Sequence, residues 1–250
     1  MDQRPNDPIS PSARQTLGWL IAMGADEIIL EQPVDRFAVP VAAEKPKAVQ
    51  ATHTIKPVAA LANPSVAPSC STLAELIQAL NYFETHPLRK SATQLSFFEG
   101  REDAEILILS DRPRNEEDRS GMVFAGKARA LLENMLSAID LKIADMAMIN
   151  LIPWRPPGNR SPTENEINLA LPFAKRALQL LKPKFILAFS SVPGQYLAGG
   201  DPSILRQRGK WQTVDDAMMM ATLHPDELLK FPMHKKMAWR DLQLFRDKLL

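Results

Sequence analysis

Ile106-Leu107-Ile108-Leu109-Ser110-Asp111-Arg112-Pro113-Arg114 is the stretch that decides the fold. Four branched apolar residues in a row suit a strand buried on both faces, and the polar, proline-containing segment behind them ends it. Three further runs have the same form: Met146 to Ile149, Phe185 to Phe189 and Met218 to Thr222. Helix-like stretches lie between them, giving the alternating rhythm of a parallel sheet covered on both sides. The expected fold is α/β: a three-layer αβα sandwich around a four-stranded, mainly parallel sheet. A polar segment follows each run, namely Ser110 to Arg114, Asn150 to Arg160, Ser190 to Gly194 and His224-Pro225. Ligands of open α/β sheets bind beyond the carboxyl ends of the strands, so one pocket would collect Asp111, Asn150 and His224.

Helices are expected at Ala128 to Ile139, Thr163 to Leu181 and Lys235 to Leu250. Thr163 and Glu166 have capping-box spacing. Ser71-Thr72 offer an N-cap for Leu73 to Leu80. Upstream, Leu17 to Met23 is apolar at helical spacing, whereas Pro33 to Ser71 turns to Pro, Ala, Val, Lys and Ser with little periodicity. Such a segment buries too little to offset its ordering entropy. The expected organisation is a helical appendage over 1–32, a linker over 33–70 and the main domain over 71–250.

The chain has 250 residues, with 30 Lys and Arg against 29 Asp and Glu. A net charge of +1 neither demands nor excludes a polyanionic partner. Local clusters matter more: Arg206, Arg208 and Lys210 precede Trp211, and Lys230, Lys235 and Arg240 follow His224. The single cysteine, Cys70, excludes an internal disulfide and a metal cluster held by several thiolates. The polar N-terminus lacks the apolar core of a signal peptide, and no run is long enough to span a membrane. A soluble, cytoplasmic, monomeric protein is expected. No P-loop or Gly-x-Gly-x-x-Gly sequence follows any of the runs.

The loop from Ser110 to Gly126 carries Asp111, the acidic run Glu116-Glu117-Asp118, and Phe124 just ahead of a helix. Phe124 reads equally as core or as a ring that stacks on a planar ligand. Asn150 to Arg160 holds three prolines and Gly158, a stiff loop displaying Trp154, Arg155, Asn159 and Arg160. Guanidinium groups held ready suit phosphate, although a solvated proline-rich connection reads the same way. The Asn150 carboxamide offers a donor and an acceptor, which suits the edge of a nucleobase.

Together these residues resemble the family 4 branch of the uracil-DNA glycosylase superfamily, from about Leu73 to Leu250. Pro156-Pro157-Gly158-Asn159-Arg160 resembles its proline–glycine loop, and Arg208-Gly209-Lys210-Trp211 its Arg-Gly-x-Trp segment. His224-Pro225, Leu228-Leu229, Pro232, Lys236, Trp239, Asp241 and Leu242 resemble its C-terminal signature. The resemblance implies hydrolysis of the N-glycosidic bond of a uracil flipped out of DNA, the first step of base-excision repair. It implies that Phe124 stacks on the base, with Ser110 beside it, and that Asn150 bonds its edge. His224 would stabilise the departing base, and Asp111 would stabilise the sugar cation and orient water, with Glu117 as the alternative acid. Arg155, Arg160, Arg208, Leu228 and Leu229 would hold the DNA.

Two departures stand out. The family's four cluster-binding cysteines correspond here to Phe83, His86, Trp154 and Ala170, so no cluster, cofactor or metal is expected. Its first motif, Gly-Glu-Ala-Pro-Gly, reads Ser110-Asp111-Arg112-Pro113-Arg114. The acid survives, but the glycines that let backbone approach the base do not. The alternatives are a non-catalytic DNA-binding relative, or a glycosylase whose specificity has shifted to another damaged base.

Overall fold

The computed structural model describes residues 64–249. The expected appendage and most of the expected linker lie outside them. A six-stranded sheet runs in the order β1-β3-β2-β4-β6-β5. Its strands are β1 (Phe98–Gly100), β2 (Ile106–Ser110), β3 (Ala147–Asn150), β4 (Phe185–Phe189), β5 (Trp211–Val214) and β6 (Ala217–Thr222). The four central strands are the expected ones and are mutually parallel. The count of four is corrected by two antiparallel edges, β1 on β3 and β5 on β6. Both edges are short and partly exposed, so they lack the continuous apolar signature of the buried strands.

Side chains of the central strands alternate between two cores, as a strand's twofold repeat requires. Leu107, Leu109, Ala147, Ile149, Ile186 and Ala188 face one core. Ile108, Met148, Leu187, Phe189 and Met220 face the other. The first is closed by α1 (Leu73–Asn81) and α4 (Glu164–Leu181), the second by α3 (Gly126–Ser137) and α8 (Lys235–Leu249). Helices thus cover both faces. The remaining helices are α2 (Asn115–Ser120), α5 (Ser191–Ala198), α6 (Ile204–Gln207) and α7 (Pro225–Lys230).

Local signals explain the helix starts. Thr72 Oγ1 accepts from the Glu75 amide at 3.2 Å, and Thr163 with Glu166 forms the reciprocal capping box. Packed structure begins before Ser71: a 3-10 turn at Pro64–Ser69 leads into buried Ala67 and Cys70, and Arg176 of α4 donates to the Cys70 carbonyl at 2.7 Å.

One buried ion pair locks the C-terminal third of the chain. Asp241 of α8 is 1% exposed and receives Arg208 Nε at 3.0 Å and Arg208 Nη2 at 2.6 Å. The Thr222 hydroxyl at the end of β6 donates to it at 2.7 Å. Gly209 lies at φ +68°, where a Cβ would stand 2.8 Å from the Asp241 carboxylate, so the Arg-Gly pair is required twice over. Removing one member of a buried pair strands the other charge. Asp241→Ala is expected to lose about 3–5 kcal/mol of stability, read by urea unfolding; a loss below about 1 kcal/mol would refute this role for the pair.

Candidate active site

The parallel register aligns the strand ends. Ser110 pairs with Asn150 on one side and with Phe189 on the other, and Phe189 pairs with Thr222. From β2 the chain moves to β3 on one flank and then returns to β4 on the other. That reversal opens a crevice at the end of β2, where Asp111 lies. A cavity of about 450 Å³ occupies this end, lined by Arg112, Arg114, Glu117, Asn159, His224 and Phe231 among others.

Asp111 is 2% exposed, and both neighbouring arginines hold it. Arg112 Nη1 contacts one carboxylate oxygen, and Arg114 Nη2 donates to the other at 3.2 Å. Arg114 also donates to the Arg112 carbonyl at 2.7 Å and the Ser110 hydroxyl at 3.3 Å, and pairs through Nε with Asp226 at 3.1 Å. Arg112 Nη2 reaches the Asn159 carbonyl at 3.3 Å, joining the first motif to the proline–glycine loop. Arg114 has φ −104°, a conformation open to any residue, so its backbone does not need the glycine it replaces. The arginines therefore seal the acid beneath the cavity floor.

His224 caps α7, and its Nδ1 accepts from the Asp226 amide at 3.1 Å. A neutral ring bonded in this way carries its proton on Nε2. That Nε2 is buried without a protein partner. Burial, reinforced by the charges of Arg114, Arg112 and Lys230, holds the imidazole pKa well below its usual value. His224 is thus a neutral donor. Phe124 is fully buried and stacks on the imidazole, with ring centroids 5.2 Å apart and planes 15° from parallel. It is a core ring here, one of its two readings, and it does not line the cavity.

Asn150 is also fully buried and off the cavity wall. Its amide nitrogen donates to the Ser96 carbonyl and the Ser96 hydroxyl, both at 2.9 Å, which leaves Oδ1 unpaired. Ser96 stands outside the motifs, and no sequence spacing pointed to it. Glu117 is 1% exposed; one oxygen accepts the Arg114 amide at 2.6 Å and the other has no partner. Burial raises its pKa to about 8, only partly countered by Arg114. Gly126, at φ +55°, closes this loop: a Cβ there would sit 1.3 Å from a Glu116 carboxylate oxygen.

Several residues expected on DNA are engaged elsewhere. Leu228 is 1% exposed and packs in the core on the α3–α8 side, whereas Leu229 is 40% exposed. Arg208 is taken up by Asp241. Arg160 forks onto Glu166 at 2.8 and 2.6 Å, and Arg155 Nε donates to Asn159 Oδ1 at 2.8 Å. Arg160 keeps an exposed flank and Arg155 a smaller one.

Three of the four positions that the resemblance matches to cysteines, Phe83, His86 and Trp154, form an aromatic box with Phe173, and the fourth, Ala170, is buried. His86 stacks near Trp154 with centroids 4.7 Å apart, and Phe83 meets His86, Trp154 and Phe173 at 5.7, 6.1 and 5.4 Å. Both His86 nitrogens are spent, Nδ1 accepting from the Leu88 amide and Nε2 facing the Glu166 carbonyl. These residues do not fit an iron–sulfur cluster, which needs thiolates. Among the described residues no group of His, Cys, Asp and Glu could hold a metal ion.

The profile of the uracil DNA glycosylase superfamily matches residues 97–243. The chain belongs to this superfamily. It is 28% identical over 182 residues to a type-4 uracil-DNA glycosylase of Pyrobaculum aerophilum, covering 69% of this chain and 91% of that one. It is 30% identical to the type-4 enzymes of Sulfurisphaera tokodaii (60% of this chain, 72% of the relative) and Archaeoglobus fulgidus (58% and 77%). The matched span runs from just ahead of β1 into α8, so it includes both altered arginines.

Glu117 yields a pH prediction. Its folded pKa lies above its ordinary 4.5, so the stability it contributes is present in full below pH 4.5 and is lost as pH rises through about 8. Glu117→Gln is expected to remove that slope and to gain on the order of 3 kcal/mol at neutral pH relative to wild type. Urea unfolding from pH 4.5 to 8 reads it, and parallel pH profiles for the two proteins would count against it.

Proposed function

We propose that this chain is a DNA N-glycosylase that releases uracil from DNA to begin base-excision repair. Superfamily membership and the type-4 relatives support the reaction. The geometric observation that carries it to this site is His224, a neutral Nε2–H donor fixed in its tautomer and lining the cavity. An N-glycosidic bond breaks as negative charge grows on the base and positive charge on the sugar. A preorganised donor in a dry site stabilises the first, and removal of one such donor commonly costs about 10²–10³ in rate. The Asp111 carboxylate stabilises the second and orients the attacking water. The base leaves the stack to reach them.

In this reading Ser110, Phe124 and Asn150 lie behind the cavity wall and meet the base only once the side chains in front of them move, and Glu117 supports the Arg114 backbone. Arg155 and Arg160 meet phosphates from the proline–glycine loop. Arg112 and Arg114 cover Asp111 until phosphodiester oxygens offer them another partner, since guanidinium groups bind phosphate and carboxylate by the same fork. In this reading the aromatic box anchors its segments by packing in place of a cluster, and the reaction runs without metal. No described helix is long and apolar enough to cross a membrane.

A second reading rests on the same arginines. With Asp111 paired twice, and Phe124 and Asn150 off the cavity wall, the chain could keep the fold and its DNA contacts without the chemistry. Uracil release from single- and double-stranded oligonucleotides in metal-free buffer separates the two. Release by wild type, a loss of about 10²-fold or more in His224→Ala, and a gain in Arg114→Gly are expected. No release by either wild type or Arg114→Gly, with salt-sensitive DNA binding intact, would establish the non-catalytic relative.

A further inference from the structure

Three segments behind the crevice meet at Ser96, a fully buried residue just ahead of β1. Its amide donates to the Pro153 carbonyl at 2.9 Å, and its hydroxyl donates to the Met122 carbonyl at 2.6 Å. With that proton spent, Ser96 Oγ can only accept, as its backbone carbonyl does by nature. Both oxygens receive the Asn150 amide nitrogen at 2.9 Å. A flipped carboxamide would set its own oxygen against the Ser96 carbonyl, so the orientation of Asn150 is fixed by chemistry. Its two N–H bonds go to Ser96, and Oδ1 is left buried with no described partner. Asn150 stands level with Ser110 at the strand ends, the edge of the sheet that also carries Asp111. A buried acceptor of this kind costs free energy until a donor arrives.

We propose that Ser96 is a positioning residue that sets what Asn150 reads: with both its N–H bonds taken, the carboxamide is an acceptor alone and tests a base for a ring N–H. A carboxamide free of such ties offers a donor as well, and would also check the carbonyl beside that N–H. Here the N3–H of uracil answers Oδ1, and the oxygen at C4 goes unread by Asn150. A base methylated at N3, or one with a lone pair there as in cytosine, leaves Oδ1 unmet and is refused. The inference rests on the glycosylase reading for placing a base against Asn150, but it does not need the hydrolysis to occur.

The test uses the full chain and single-stranded oligonucleotides carrying uracil, 4-thiouracil, 3-methyluracil or cytosine at one position. Relative to uracil, competition binding is expected to fall about tenfold or more for 3-methyluracil and cytosine, but less than about threefold for 4-thiouracil. Ser96→Ala frees one Asn150 N–H, so the penalty for sulfur at C4 should rise above about fivefold. Ser96→Thr keeps the hydroxyl and should restore the wild-type pattern. In the free protein both side-chain N–H protons of Asn150, assigned by their loss in Asn150→Asp, should exchange slowly with solvent, and one should exchange at least about tenfold faster in Ser96→Ala. The wild-type protons and the base panel decide the matter even if Ser96→Ala fails to fold. Equal losses for sulfur at C4 and methyl at N3, equal binding of all four oligonucleotides, or rapid exchange of the wild-type protons would overturn the role of Ser96. Uracil release by the same sample reports separately on catalysis: selective binding without release leaves Ser96 in its role and sinks the glycosylase reading, whereas release without selective binding does the reverse.

Discussion

A strand buried on both faces has nowhere to display chemistry except at its ends. The four central strands alternate side chains between two apolar cores, so nothing reactive can be placed along them. Their register then brings the strand ends that carry Asp111, Asn150 and His224 to one edge of the sheet, although 113 residues separate the first from the last. Every polar group beyond those ends inherits the low dielectric of the cores beneath. Unpaired charge is expensive there, which is why Asp111 is found with two guanidinium groups and His224 without a charge.

The same rule accounts for how the first motif tolerates its arginines. A glycine is needed where the backbone turns left-handed or where something must approach it closely, and Arg114, at φ −104°, does not meet the first condition. Positions that meet both include Gly100, where a Cβ would stand 2.1 Å from the Met146 carbonyl oxygen, and Gly209, against Asp241. Substituting the glycine of the first motif therefore leaves the scaffold unstrained and changes only what fills the crevice. The Arg114 side chain occupies that space, and its charge is paired there by Asp111 and Asp226.

Much of this was legible in the sequence. Ile106 to Leu109 and its three companions announced the parallel core because double-sided burial leaves an unbroken apolar run, and Thr163 with Glu166 marked the start of α4 to the residue. The edge strands escaped because Phe98-Glu99-Gly100 and Trp211 to Val214 face solvent in part and alternate too briefly to register. The cavity's location was readable from strand ends. Who faces whom within it was not: whether Arg112 points at solvent or at Asp111, or Leu228 at DNA or at Phe124's core, depends on side-chain directions that spacing alone does not encode. Ser96 was invisible for the same reason, since its tie to Asn150 spans 54 residues.

The cap of α7 has one more consequence. The amide that fixes the His224 proton belongs to Asp226, whose side chain also holds Arg114. Access to the crevice and the identity of the donor atom are thereby wired to a single residue. Drawing Arg114 away leaves Asp226 free to shift, and any shift that lifts its amide from Nδ1 returns the imidazole to a mixture of proton placements.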